Sequence, residues 1–216
     1  EGYGSKTVKD YLHYLYKEIL SIKHKSSLST IYVGGGTPSI LDPKQIKDLI
    51  DLFKDNYGVD YGAEITMEVD PASFNQDDLY GFINAGINRF SLGVQSFNDQ
   101  ILEKSGRRHL SEDAEKSCLW LKKVYESGLI KSWSLDLIQN LPLSGVKEWN
   151  NDLKKTINFS PPHISIYDLN IENGTVFKRL VNLGKLKLPS DEEAFRNSES
   201  THLILKNSGY SRYEIS

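Results

Sequence analysis

Gly34-Gly35-Gly36-Thr37-Pro38 presents bare backbone at the end of a β-branched and aromatic run, Thr30-Ile31-Tyr32-Val33. Three glycines let main-chain N–H and C=O groups come close to a ligand, and Pro38 fixes the exit of the turn. The plainer alternative is a tight strand-to-helix connection. Three polar side chains share this kind of position. Ile65, Met67 and Val69 alternate with Thr66, Glu68 and Asp70. Phe90, Leu92 and Val94 alternate with Ser91, Gly93 and Gln95; Trp133, Leu135 and Leu137 alternate with Ser134, Asp136 and Ile138; Ile164 and Ile166 alternate with Ser165 and Tyr167. Each strand therefore has one apolar face and one small or polar face, with Glu68, Gln95 and Asp136 directed inward near the C-terminal strand ends, where α/β proteins bind ligands. A carboxylate buried without a partner is costly. Glu68 and Asp136 need a ligand, water, or a basic network with Arg89, Arg107 or Arg108; the recurrence of the polar face favours a cavity for a polar ligand.

These groups are positioned by regularly alternating elements. Strands are predicted at 30–33, 64–69, 88–94, 132–138 and 163–167. Helices are predicted at 7–21, at 43–56 with Asp42 as N-cap and Pro43 at the first position, at 75–85 stopping at Gly86, at 111–127 behind a serine cap, at 146–158, and from the Ser190-Asp191-Glu192-Glu193 capping box to near Gly209. Such alternation predicts a parallel sheet. Five strands in 216 residues favour an open sheet or an incomplete barrel over a closed eight-stranded one, which takes about 250 residues. No linker or second domain is visible.

Composition is that of an ordinary globular protein, with 38% hydrophobic and 25% charged residues. A net charge of -3 speaks against a nucleic-acid partner. No apolar run is long enough for a membrane span, and the first residues carry no signal-peptide pattern, so a cytoplasmic location is expected. The single cysteine, Cys118, excludes an internal disulfide or a multi-cysteine cluster site within these residues. It lies on a helical stripe with Ala114, Leu121 and Tyr125, where it reads as a small core hydrophobe. The five histidines, His13, His24, His109, His163 and His202, show no metal-binding spacing, and no metal ligand is expected in the chain.

A series of short motifs runs in order through the chain: Tyr32-Val33-Gly34-Gly35-Gly36-Thr37-Pro38-Ser39, Glu64 to Pro71, Gly86 to Phe97, Gly106-Arg107-Arg108-His109, Leu135-Asp136-Leu137-Ile138, His163 to Tyr167, Glu172-Asn173-Gly174-Thr175 and Gly209 to Ser216. Together they resemble the radical S-adenosylmethionine (SAM) proteins related to oxygen-independent coproporphyrinogen III oxidase, and in particular the heme-chaperone, or HemW, branch. The resemblance implies an incomplete (β/α)6 barrel, a TIM-like radical SAM core, forming a single domain over 1–216. It implies that Gly35, Gly36 and Thr37 contact the methionine moiety of SAM, that Glu68 accepts from its ammonium, that Arg107 pairs with its carboxylate, and that Gln95 and Asp136 bind the ribose hydroxyls. It also implies a [4Fe–4S] cluster, held by a CxxxCxxC motif that this chain lacks. Its ligands would lie outside the chain, on a loop after a first strand, which makes the 216 residues a fragment of a longer protein.

The chain departs from the family at Asn140-Leu141-Pro142-Leu143-Ser144-Gly145, where the family usually carries glycine at the position of Asn140 and Gly-Gln-Thr after the proline. The resemblance leaves two functions open. One is a carrier that binds heme and delivers it to acceptor proteins. The other is an enzyme that oxidatively decarboxylates coproporphyrinogen III. A third reading, from the residues alone, is a barrel enzyme whose glycine turn holds a phosphate; the absence of a lysine or arginine next to the turn in sequence weighs against it.

Overall fold

The computed structural model describes residues 5–23 and 26–214. His24 and the Ile215-Ser216 end of the last motif lie outside the described residues, as do Glu1 to Gly4. Five strands, β1 (Leu28–Val33), β2 (Val59–Val69), β3 (Arg89–Gln95), β4 (Ser132–Gln139) and β5 (His163–Asp168), form one sheet in the order β1-β2-β3-β4-β5. Every neighbouring pair is parallel. The sheet curls into a half-barrel, the incomplete barrel that the alternation and the resemblance imply.

The described residues also form the helices α1 (Ser5–Ser21), α2 (Pro43–Tyr57), α3 (Gln76–Ala85), α4 (Asp99–Lys104), α5 (Ser111–Glu126), α6 (Val146–Phe159), α7 (Val176–Asn182) and α8 (Asp191–Asn207), of which α2, α3, α5 and α6 pack on the outer face of the sheet. The apolar strand residues Met67, Phe90, Leu92, Trp133 and Leu135 are fully buried against Ile46 and Ile50 of α2, Leu79 and Phe82 of α3, Cys118 and Leu121 of α5, and Trp149 and Leu153 of α6. Period two on the strands meets period 3.6 on the helices, and the core lies wholly on this side. Cys118 is part of it, and burial pushes its thiol well above the usual range. The opposite, concave face carries Thr66, Ser91 and Ser134, all buried and all hydroxylic.

Caps set the helix starts. Asp42 accepts from the Lys44 N–H at 2.7 Å, and Gln45 accepts from the Asp42 N–H at 2.9 Å. Asn75 accepts from the N–H groups of Asp77 and Asp78, and Ser190 from that of Glu193. One expectation is corrected: Ser111 does not cap α5. Asp99 accepts the Ser111 N–H at 2.7 Å, so Ser111 becomes the first helical residue and Leu110 the cap, with Asp113 accepting the Leu110 N–H at 2.9 Å. The short helices α4 and α7 and the 3-10 turn Pro38–Ile40 leave no periodic pattern in the sequence. Among the described residues, no helix is long and apolar enough to cross a membrane.

Candidate functional site

The strand ends open on one cleft of about 280 Å³ at the C-terminal edge of the sheet. Gly35, Gly36, Thr37, Glu68, Gln95, Arg107 and Asp136 all line it. The seven residues singled out from the sequence thus share a single space, although they come from the ends of four strands and one loop.

The glycine turn is held by the carboxylate beside it. Glu68 accepts from the Gly35 N–H at 3.2 Å through Oε2 and from the Tyr32 hydroxyl at 2.9 Å through Oε1. Gly35 has a φ of 127°, which only glycine adopts without strain. Gly34 is needed for close approach: a Cβ there would stand 2.8 Å from the Tyr32 ring and 3.1 Å from Glu68 Oε1. Tyr32 is largely exposed, but partial desolvation of its hydroxyl, with the hydrogen bond to Glu68 and that carboxylate's charge, pushes it up to about 12, so it stays a donor. On the far side of the turn Ser39 accepts the Asp70 N–H at 3.0 Å and contacts the Ser73 hydroxyl, docking the 3-10 turn onto the end of β2.

Gln95 reaches the cleft through an irregular backbone. The β3–β4 register shifts between Gly93 and Gln95, Gln95 has a φ of 67°, and the Ser96 N–H donates to the Val94 carbonyl at 2.8 Å. That is a γ-turn of the positive-φ kind centred on Gln95. The Gln95 amide lies over Gly93, where a Cβ would stand 2.8 Å from its Nε2. The Val94 carbonyl also receives Nε2 of the buried His109 at 3.0 Å. His109 Nδ1 faces Asp70 Oδ2 at 3.7 Å.

Arg107 enters from the loop between α4 and α5, its own N–H donating to the Leu102 carbonyl at 2.9 Å. Asp70 lines the cleft with it. Burial works to raise the Asp70 carboxyl, but His109, the Ala72 N–H and the Arg107 charge outweigh it and hold the group below its ordinary value. Asp136 behaves in the opposite way. Its Oδ2 accepts from the Ser91 hydroxyl at 2.7 Å, and Ser91 in turn contacts the Ser134 hydroxyl at 2.8 Å. Its Oδ1 is shielded from water and has no hydrogen-bond partner among the described residues. Burial raises this carboxyl despite the hydroxyls of Ser91, Ser165 and Ser134 around it.

The basic network weighed as an alternative does not form. Arg89 stands at the N-terminal end of β3 and contacts Thr66 at 3.4 Å, and no ion pair among the described residues involves Glu68 or Asp136. Asp70, Ser91, Gly93 and Tyr167 also line the cleft, beyond the seven residues that the sequence singles out. The alternation on β2, β3 and β5 contained the signal for all four. Asn140 and Leu143 have φ values of 63° and 66°, which explains why glycine suits the first of these positions and why asparagine, which tolerates the left-handed region, can replace it. The Asn140 side chain is then engaged, donating to Asp168 at 2.6 Å and accepting from Asn197 of α8 at 2.9 Å.

The profile of the radical SAM superfamily matches residues 4–133, more than half of the chain. The chain belongs to the radical SAM superfamily. The heme chaperone HemW of Synechocystis sp. is 38% identical over 211 residues, covering 97% of this chain and 50% of that protein. HemW of Haemophilus influenzae is 38% identical over 216 residues, covering 96% of this chain and 54% of that one. The chain spans about half the length of these curated relatives. Among solved structures, the radical SAM enzyme coproporphyrinogen III oxidase (HemN) from Escherichia coli superposes with a TM-score of 0.81 at 29% identity, over 94% of this chain and 46% of that one.

The cofactors of this superfamily are SAM and a [4Fe–4S] cluster. The cleft has the chemistry that SAM asks for. SAM carries an ammonium, a sulfonium, a carboxylate and two ribose hydroxyls; the cleft offers three carboxylates, one guanidinium and a buried acceptor without a donor at Asp136 Oδ1. The same three carboxylates disfavour a phosphate. The cluster does not fit the residues present, since the one cysteine is Cys118, buried in the core away from the cleft.

Proposed function

We propose that these residues are the SAM-binding core of a heme chaperone of the HemW kind, with the cluster ligands outside this chain. The observation that carries the reading is the convergence of the glycine turn, Glu68, Gln95, Arg107 and Asp136 on one cleft. In this reading the main chain of Gly35, Gly36 and Thr37 borders the methionine portion, with Glu68 taking the ammonium and Arg107 the carboxylate. Gln95 and Asp136 take the ribose, and a donor at Asp136 Oδ1 would satisfy that atom. A cluster held by ligands outside this chain would supply the electron chemistry; the work of this chain's own residues is to orient SAM and keep water from the polar cleft floor.

The choice of carrier over oxidase rests on the curated relatives, named heme chaperones and 38% identical, against 29% for the coproporphyrinogen III oxidase. The fold is common to both, so fold alone does not separate them. The experiment is a heme titration of the full-length protein followed in the Soret band, alongside anaerobic incubation with coproporphyrinogen III, SAM and a reductant. Saturable heme binding without porphyrinogen turnover supports the chaperone. Decarboxylation of the porphyrinogen would establish the oxidase instead. Delivery of bound heme to an acceptor protein is the step that follows from the carrier reading.

A further inference from the structure

Asp152 lies on α6, outside the cleft, and is 3% exposed. Its carboxylate serves one short segment. Oδ2 accepts from the Ser96 hydroxyl at 2.6 Å and Oδ1 from the Phe97 N–H at 2.9 Å. Ser96 Oγ in turn accepts the Asn98 N–H at 3.1 Å, and Asn98 caps the start of α4. These are the three residues that follow Gln95, whose positive φ and γ-turn are conformations a glutamine adopts only when its surroundings enforce them. A relaxed backbone would continue β3 and turn the Gln95 amide away from its place over Gly93.

We propose that Asp152 is a positioning residue, a buried anchor on α6 that locks the Gln95 turn and so sets the affinity of the cleft for its ligand. The proposal rests on the SAM reading of the cleft for the identity of that ligand, while the locking of the turn is a property of the chain itself. The neighbouring charges have other engagements. Lys155 pairs with Glu115 of α5 at 2.6 Å and lies 5.5 Å over the Phe97 ring, which itself stacks on Phe159. The carboxylate of Asp152 is thus the only side-chain group seen to accept from both Ser96 and Phe97 among the described residues.

The test uses the full-length, cluster-reconstituted protein and two readouts. SAM dissociation constants are measured by calorimetry for the parent, Asp152→Ala, Asp152→Asn, Gln95→Ala and the Asp152→Ala/Gln95→Ala double variant. Amide hydrogen exchange is followed at Ser96 and Phe97 without SAM. Asp152→Ala is expected to weaken SAM binding roughly tenfold, as losses of supporting contacts around a site do. Asp152→Asn should recover most of it, because an amide can accept from Phe97 N–H and donate to Ser96 Oγ. The effect of Asp152→Ala should largely vanish once Gln95 is gone. Exchange at Ser96 and Phe97 should rise in Asp152→Ala. An unchanged SAM constant in a folded Asp152→Ala protein, or an effect additive with Gln95→Ala, overturns the proposal. If the parent itself shows no SAM affinity, the SAM reading fails, and unchanged exchange at Ser96 and Phe97 would then overturn the locking of the turn as well.

Discussion

Tyr32 on β1 donates to Glu68 on β2 at 2.9 Å, and the other oxygen of that carboxylate takes the Gly35 N–H at 3.2 Å. Glu68 is therefore both a wall of the cleft and the brace of its glycine turn. We expect Glu68→Gln to weaken SAM binding by about 1–3 kcal/mol, the range for a lost charged hydrogen bond. Tyr32→Phe removes only the outer contact and should cost about 1 kcal/mol or less. Calorimetry with SAM on the full-length variants checks both; equal affinities in all three proteins would remove Glu68 from the site.

Gly93→Ala isolates the Gln95 amide without disturbing the core. The added methyl would stand 2.8 Å from Gln95 Nε2, the end of a flexible side chain, and 3.8 Å from the Val69 carbonyl, an ordinary contact. The side chain must yield and the backbone need not. The expected outcome is weaker SAM binding with a thermal midpoint within a few degrees of the parent. A large loss of stability would mean that the backbone at Gly93 cannot accept a side chain.

Cys118→Ala should act on stability alone. The thiol is fully buried between α5 and the sheet, and its removal leaves a small cavity worth on the order of 1 kcal/mol. For a chain of this size that lowers the midpoint by about 2–4 °C. SAM affinity should be unchanged; a shift in affinity would tie Cys118 to the cleft.

The Asp152 carboxyl gives a pH signature. Burial pushes it up to about 6, against the Ser96 and Phe97 hydrogen bonds and the Lys155 charge, with Glu148 adding to the rise. The folded value exceeds the unfolded one, so the fold favours the protonated form. Its contribution to stability is full below about pH 4 and is lost as the pH rises through about 6, by on the order of 3 kcal/mol if the whole shift is expressed. Asp152→Asn does not titrate, so the stability of the parent should fall relative to the variant between about pH 4 and 6, then run parallel. Denaturant unfolding across that window is the measurement, and a constant difference would contradict the shift.

Much of this arrangement can be read from the chain. The alternation Ile65, Met67, Val69 against Thr66, Glu68, Asp70 assigns the faces of β2; burial follows it at Met67 and Val69 against the partly exposed Glu68 and Asp70, whereas Thr66 is buried on the concave face as well. Asp42 and Ser190 cap where they were expected, since capping is local in sequence. What could not be read depends on contacts from afar. Ser111 loses its cap role because Asp99, twelve residues earlier, takes its N–H. The six residues of α4 are too few to show a helical period. Alternation points Gln95 inward, yet the side chain is aimed by a γ-turn, and the Asp152 carboxylate that grips the next two residues comes from a helix more than fifty positions on. Arg107 carries no periodic signal at all; only the resemblance to a family places it in the cleft, where the structure also puts it.

The most direct measurement is a crystal structure of the full-length protein with SAM. The ribose hydroxyls should lie within hydrogen-bonding distance of Gln95 and of Asp136 Oδ1, and the amino-acid end between the Gly34–Gly36 turn, Glu68 and Arg107. SAM bound elsewhere, or in this cleft with its ribose turned away from both side chains, would contradict the account.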